Sequence, residues 1–414
     1  MFRSKIHLVR ALWLACACTL PQFAAAAGLG HDEAQALARA AAPSLRAQQA
    51  TVAGATAARA AASTLPDPKL TVGIDNLPVT GPMRYRLTSE PDTMQRLALM
   101  QEVPNRAKRD AREAMANYRI ERDRAMLAAS GVMVKRDASL AWLAVHYAEK
   151  RQGLVADYRR ENRLLQDTLA ARIAAMSAMP VDLTMARQDA LMIDDRNDEI
   201  AREIAKSRAE LRRWVGERAL EPLTGEPVLP EVDEAQLRAR LGNAAELKPY
   251  APMREMTAAE MAELDAEKRG DWSWELAYSR RPRYDDMVSF MLSFDLPWQR
   301  ERRQQPLVDA KRREIERIEA EREDLARRIG LEADTMLADL RAMDAMHARL
   351  AGSGTQLAAD RIALVTASYQ AGRVDLGPVL TARQQALDVR MKVIDLAAQR
   401  AAMRVKLAAL VAEE

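Results

Sequence analysis

WSWELAYSRRPRYDDMVSFMLSFDLPW, from Trp272 to Trp298, is the stretch on which the fold turns. Trp272, Trp274, Leu276 and Tyr278 alternate with Ser273, Glu275, Ala277 and Ser279. After the basic loop Arg280 to Asp285, Val288, Phe290, Leu292, Phe294 and Leu296 alternate with Ser289, Met291, Ser293 and Asp295. A period of two places the apolar set on one face and the polar set on the other, which predicts two strands at about 272–279 and 287–296. Pro297 closes the second.

Outward from this hairpin the pattern changes to helix. Upstream lies a helical stretch interrupted at Pro249 and Pro252. Downstream, charged and apolar residues mix at helical spacing from about Arg300 to Ala371, break at Gly372, and return as a second helix to the C-terminus. The first half has the same order. An alanine-rich helical segment ends at Leu65-Pro66-Asp67-Pro68. Strands at about 69–77 and 94–103 follow, with Leu70, Val72 and Ile74 on one face of the first and Leu97 and Leu99 on one face of the second. From Asn105 to about Met176 no proline occurs, and a second helix runs on to Trp214. A helix of this length is about 100 Å long at 1.5 Å per residue, more than a globular domain needs, and implies coiled-coil packing.

Ala171 to Val215 can be laid on Ala367 to Val411 without a gap. Ala186-Arg187-Gln188 then falls on Ala382-Arg383-Gln384, and Leu191, Ile200, Leu211 and Val215 fall on Leu387, Leu396, Leu407 and Val411. A competing register matches Val181-Asp182-Leu183 to Val374-Asp375-Leu376 at the cost of three inserted residues. Either way the chain is two internal repeats: a first over 28–216, a proline-bearing linker over 217–235 and a second over 236–414. The fold class expected is mixed and mostly α, with long antiparallel helical hairpins and four strands.

The composition agrees. Of 414 residues 49% are hydrophobic, only 4% aromatic and only 16 are glycine, the balance of long helices. The formal charge of +3 comes from Arg3, Lys5 and Arg10, inside a segment with the three parts of a secretory signal: a basic start, an apolar run from Ala11 to Leu20 and small residues Ala24 to Ala27. Cleavage is expected close to Gly28, leaving a near-neutral chain with no net basic field for nucleic acid. Both cysteines, Cys16 and Cys18, lie in that segment and sit in poor versions of a lipid-attachment motif.

Strands with one apolar and one polar face, roughly nine to eleven residues long, suit a tilted bilayer crossing. An open sheet in lipid leaves unpaired edges that cost several kcal/mol per backbone group, so the sheet must close. Four strands cannot enclose a channel, and closure therefore requires several copies. The lipid-facing set is expected to be Leu70, Val72, Ile74, Leu97, Leu99, Trp274, Leu276, Val288, Phe290, Leu292 and Phe294. The alternative is a soluble sandwich on a helical stalk.

This order of elements resembles the TolC-like outer membrane efflux family over nearly the whole mature chain. Within it, Asp75-Asn76-Leu77-Pro78 and Gln101 to Arg109 resemble the members that serve heavy-metal exporters of the Czc and Cus type. The resemblance implies a homotrimer whose protomers build a twelve-stranded barrel in the outer membrane of a Gram-negative cell, continued by a periplasmic tunnel of helices that meets an adaptor and an inner-membrane pump. It also implies a constriction at the helical tips. Asp182 and Tyr369 match two constriction positions, and Gly372, Arg373 and Asp375 belong to the same tip. The second-half acidic positions read Pro378 and Thr381, and the arginine position reads Val374. Since Met176 aligns with Gly372 and already carries a side chain, the first tip is expected to tolerate bulk better.

No nucleophile elbow, phosphate loop or zinc-protease motif occurs, so no enzyme, cofactor or metal centre is expected. His31, His146 and His347 stand apart in sequence. Met176, Met179, Met185, Met343 and Met346 read first as packing residues, with passage of a soft cation as the sharper alternative. The reading is an exit duct for a tripartite exporter of metal cations. Organic compounds or secreted peptides as cargo are the runner-up, and a soluble periplasmic coiled-coil scaffold is the alternative of another class.

Overall fold

The computed structural model describes residues 28–88 and 90–412; the expected signal segment lies outside them. After Leu29 come α1 (His31–Ala41) and α2 (Pro43–Ala62), broken at Ala42 because Pro43 cannot donate an amide. Then follow β1 (Lys69–Asp75), β2 (Met94–Val103), α3 (Arg106–Ala174) and α4 (Pro180–Val215). The second half contains α5 (Glu234–Arg240), α6 (Tyr250–Ala266), β3 (Trp272–Arg280), β4 (Met287–Phe294), α7 (Arg300–Arg349), a π segment (Leu350–Gly354), α8 (Thr355–Gln370) and α9 (Leu376–Leu410).

The strands form one antiparallel sheet in the order β1-β2-β3-β4, so the repeats join through β2 and β3 while β1 and β4 are its edges. The inner strands have 10 and 9 residues and the edge strands only 7 and 8. The edges fall short of the expected ends at 77 and 296. Asn76 takes a left-handed φ of 55° that stops β1, and an edge strand is paired from one side only.

Long helices stand at one end of the sheet. Unbroken over 69 residues, α3 packs against α1, α2, α4, α6 and α9. Its second-half counterpart is not continuous: α7 has 50 residues and α8 has 16, separated by the five-residue π segment. A wide turn takes up extra residues without ending the helix. Here it falls on Gly352-Ser353-Gly354, and Ser353 and Thr355 return their hydroxyls to the carbonyls of Arg349 and Ala351.

Instead of one core, the bundle has layers strung along its length. The largest is centred on Trp142, with Leu29, Leu211, Val215, Ala401 and Val405 around it and the indole Nε1 donating to Leu29 O at 3.0 Å. Others gather around Leu337 and Leu407, around Val155, Ile193 and Leu387, and at the hairpin tips around Leu169, Ala186, Leu376 and Leu380. Each fully buried leucine contributes about 1.5–3 kcal/mol, so losing one layer loosens the bundle locally rather than everywhere. Leu211 and Leu407 are both buried, as are Ile200 and Leu396, in keeping with the ungapped register. Leu191 departs from it: it is 66% exposed where Leu387 is 5% exposed, because α9 is covered by α3, α4, α7 and α8 while α4 packs mainly on α3.

Candidate membrane face and hairpin tips

Cross-strand register assigns each sheet residue to a face. Leu70, Leu99, Leu276 and Phe290 form one row across four strands, and Val72, Leu97, Tyr278 and Val288 form the next. Gln101, Trp274 and Leu292 form a third, and Val103, Trp272 and Phe294 a fourth. Ile74 stands opposite Gln95 in the row that ends at Arg280. All eleven residues expected to face lipid therefore share one side, and all but the half-buried Trp274 are exposed: Leu70 is 66% exposed, Val72 75% and Phe290 64%.

The other face has Thr71, Ala98, Ala277 and Ser289 in one row and Gly73, Arg96, Ser279 and Met287 in the next. Ala98 and Ala277 are buried there because the larger polar neighbours close over them. Arg96 reaches Asp75 Oδ2 at 3.5 Å and makes a short contact with Glu275, tying three strands together on this side. Met94, Met100, Met287 and Met291 share this face, but the aromatic and branched aliphatic side chains lie on the other, exposed one. A sheet that buries alanines among ion pairs while exposing those side chains is inverted relative to a water-soluble one.

The junction of sheet and helices is built by Gln101 to Arg109. Gln101 Nε2 donates to Pro66 O at 2.7 Å. Asn105 caps α3 by accepting from the Lys108 amide at 2.9 Å, and its own amide groups donate to Ala266 O and to Asp271 Oδ1. Lys108 Nζ lies 3.1 Å from Asp271 Oδ2. Burial pushes the Asp271 carboxyl up, but the Asn105 hydrogen bonds and the Lys108 ammonium outweigh it and hold it below the usual carboxylate range.

The two hairpin tips close by one mechanism. Ala175, Met176 and Ser177 donate their amides to Ala171, Ile173 and Arg172; Ala371, Gly372 and Arg373 donate to Ala367, Tyr369 and Ser368. This is a Schellman turn, twice, in the ungapped register. Its left-handed position is Gly372 at φ 68° and Met176 at φ 56°. The side chain of Met176 stands out in solvent, yet the backbone beneath it is the one glycine adopts, so the presence of a side chain here is no ground for expecting this tip to tolerate more bulk.

Tyr369 OH donates to Asp182 Oδ2 at 3.1 Å, linking the second hairpin to the first, and the Arg172 guanidinium lies 5.5 Å from the Tyr369 ring centroid. Burial, then the hydrogen bond to Asp182, raise the Tyr369 hydroxyl above its ordinary pKa. Arg373 and Asp375 are exposed, make no ion pair among the described residues, and are not brought to the Asp182 pair. The cation beside the Tyr369 ring is Arg172, from the first hairpin, and not Arg373.

A second polar junction lies further along the hairpin. Asp189, 2% exposed, accepts from Asn162 Nδ2 at 2.7 Å and Gln384 Nε2 at 2.8 Å, joining α3, α4 and α9. Burial and the Asp189 charge raise the neighbouring Tyr158 hydroxyl. The signal was in the sequence: Asp182, Ala186, Asp189, Ile193 and Ile200 fall at core-facing helical spacing, so Asp189 is a charge at an apolar position.

Two histidines distant in sequence meet around Trp142. His146 stacks on the indole with centroids 4.8 Å apart, and His31 sits at its edge at 5.2 Å with Nε2 2.6 Å from Ser139 Oγ. Burial lowers both imidazoles below their ordinary value. Among the described residues no three His, Cys, Asp or Glu side chains form a group able to hold a metal ion. Met185 packs into the tip layer, while Met176 and Met179 point to solvent.

No protein-family model matches the sequence. No curated protein matches it either. Solved structures do share its fold. A membrane protein from Pseudomonas aeruginosa superposes with a TM-score of 0.78 at 15% identity, over 92% of this chain and 90% of that one. CusC, described for the conformational changes of its folding and transmembrane channel formation, gives 0.77 at 12% identity over 93% and 92%. The outer membrane protein VceC from Vibrio cholerae gives 0.76 at 18% identity over 92% and 96%. At such identities the likeness is one of fold: helical hairpins carrying a four-stranded contribution to a barrel.

Proposed function

We propose that the chain is an outer-membrane exit duct of a tripartite exporter, closed as a homotrimer, with its helical tips in the periplasm meeting an adaptor that joins it to an inner-membrane pump. One observation carries this reading: a four-stranded sheet with its large apolar side chains outward and both edges unpaired, standing on helices far longer than a globular domain requires. Lipid covers such a face, and further copies of the sheet pair such edges. Leu164, Leu331, Leu357 and Leu364, all exposed on the long helices, give neighbouring copies apolar surface to cover. Among the described residues no helix is long and apolar enough to cross a membrane, and insertion is assigned to the sheet. Duct function is transport without chemistry: the Asp182–Tyr369 pair holds the tips together and its release widens them.

The cargo is a second step. The Gln101–Arg109 motif that resembles metal exporters builds the sheet–helix junction. Metal cations are proposed from the resemblance alone. Two experiments test the two steps. Carbonate washing of membranes should leave an oligomer behind, and release of the chain would favour a soluble scaffold. A deletion strain should become sensitive on a metal panel, and sensitivity to drugs alone would assign organic cargo.

A further inference from the structure

The outward face of the sheet ends differently at its two boundaries. Toward the helices the final row is Val103, Trp272 and Phe294, with Trp298 just beyond. Toward the hairpin loops the row Val72, Leu97, Tyr278, Val288 gives way in one step to Ile74, Gln95 and Arg280. Arg280 is therefore on the lipid side, at the row where the apolar surface stops. Arg281 and Arg283 follow in the β3–β4 loop, and Arg84 and Arg86 lie in the β1–β2 loop at the same end.

None of these five guanidinium groups makes an ion pair with a carboxylate among the described residues, although Asp286, its pKa lowered first by the Tyr278 hydrogen bond, is lowered further by Arg280 and Arg281 nearby. Arginines along the helices, by contrast, are widely paired, as Arg151, Arg254 and Arg317 are. The loop does contain acids. Asp286 is turned back, accepting from the Tyr278 hydroxyl in a short contact and from the Arg281 amide at 3.2 Å. Asp285 contributes a backbone carbonyl to Arg281 Nε at 2.9 Å. Rings fix two of the cations: Arg281 lies 5.8 Å from the Tyr284 centroid and Arg84 5.5 Å from that of Tyr85. A guanidinium at an apolar boundary keeps its stem in the hydrocarbon and its head in the polar layer, and its planar fork matches a phosphate better than any other common anion there.

We infer that Arg280, Arg281 and Arg283 bind the phosphate groups of lipids in the leaflet at the loop end of the sheet. The proposal rests on the sheet being membrane-inserted, as set out above. It gives the two boundaries separate tasks: indoles position the helix side, and guanidinium groups anchor the loop side to anionic headgroups.

The test uses the full chain purified as its oligomer in a mild detergent and titrated in native mass spectrometry with lipid A carrying both phosphates, with the monophosphorylated form, and with inorganic phosphate. Wild type and the helix control Arg312→Gln/Arg313→Gln should bind the doubly phosphorylated lipid alike. The variant Arg280→Gln/Arg281→Gln/Arg283→Gln should bind about tenfold more weakly or worse, as lost charge-assisted pairs require. The monophosphorylated form should bind less tightly than the doubly phosphorylated one. Equal affinity in the triple variant overturns the proposal. Displacement by millimolar inorganic phosphate overturns it too, by assigning the site to the free anion. Should the triple variant fail to insert, Arg283→Gln alone, which lies outside the strands, should still lose about threefold, the scale of one exposed charge; unchanged affinity there is an equal refutation. Release of wild type by carbonate would instead strike at the duct reading itself.

Discussion

Met176 and Gly372 occupy one backbone conformation with different side chains, and the difference is measurable. A non-glycine residue in the left-handed region costs roughly 1–2 kcal/mol. Met176→Gly should therefore slow hydrogen exchange of the first tip's amides by up to about tenfold, and Met176→Val should speed it, since a β-branched residue fits φ 56° worse than methionine does. Gly372→Val should impose the same strain on the second tip. Because the sheet lies at the far end of a 69-residue helix, oligomer insertion should stay near normal in that variant while export and cross-linking to the adaptor fall. Loss of insertion instead would remove the tip assignment. His31 and His146 make a second residue-scale prediction. Their folded pKa values are lowered by burial, so below 6.5 the unfolded chain takes up protons that the folded chain resists. The stabilisation is complete above 6.5 and is lost as pH falls through the lowered folded values. Exchange protection of α1 should decline on acidification from neutral pH, and His31→Gln should flatten that dependence even though Asp32, Lys135, Lys150 and Glu226 remain nearby.

At the level of elements, the sheet and its junction were legible to different degrees. Strict alternation from Val288 to Phe294 puts its apolar residues in the same rows as those of the other strands, because register in a sheet admits no half-steps: a slip of one residue would move every apolar side chain to the other face. Phe290→Arg should accordingly cost about 2–4 kcal/mol per chain and deplete the assembled oligomer, while Ser293→Arg on the opposite face should be milder; equal depletion would contradict the facing. The Asn105 junction could not be read, since its partners Ala266 and Asp271 lie far along the chain and hydrogen bonding leaves no periodicity. Asn105→Ala removes a cap worth about 1 kcal/mol and the side-chain bonds to Ala266 O and Asp271, so the oligomer's melting temperature should fall while its size is unchanged. The π segment was hidden for another reason. Leu350 to Gly354 keeps helical composition on both sides, and only unequal arm lengths betray it. Asp189 was legible and overlooked, a charge at core-facing spacing. The His31–Trp142–His146 stack was legible only in part: Trp142 and His146 are four residues apart on α3 and share a face, while His31 comes from α1 through packing that leaves no trace in the sequence.

For the whole molecule, duplication explains why one chain gives two hairpins and two pairs of strands, and also why the proposed ring needs more than one chain. Each repeat supplies a single hairpin to the sheet, β2 and β3 seal the repeats to each other, and β1 and β4 are left for another copy. The unpaired edges carry a genetic consequence. In the proposed ring every copy is a stave, so one defective β4 leaves a gap that two sound neighbours cannot cover. A proline at Met291 takes a backbone donor out of β4 whichever way that donor points. Co-expressed with an equal amount of wild type, Met291→Pro should leave only about one ring in eight free of a faulty stave, if three copies mix at random. Resistance in such a strain should drop well below half, making the allele dominant. Truncation before Lys69 removes the strands altogether, and such a chain cannot enter a ring; its allele should be recessive in the same strain.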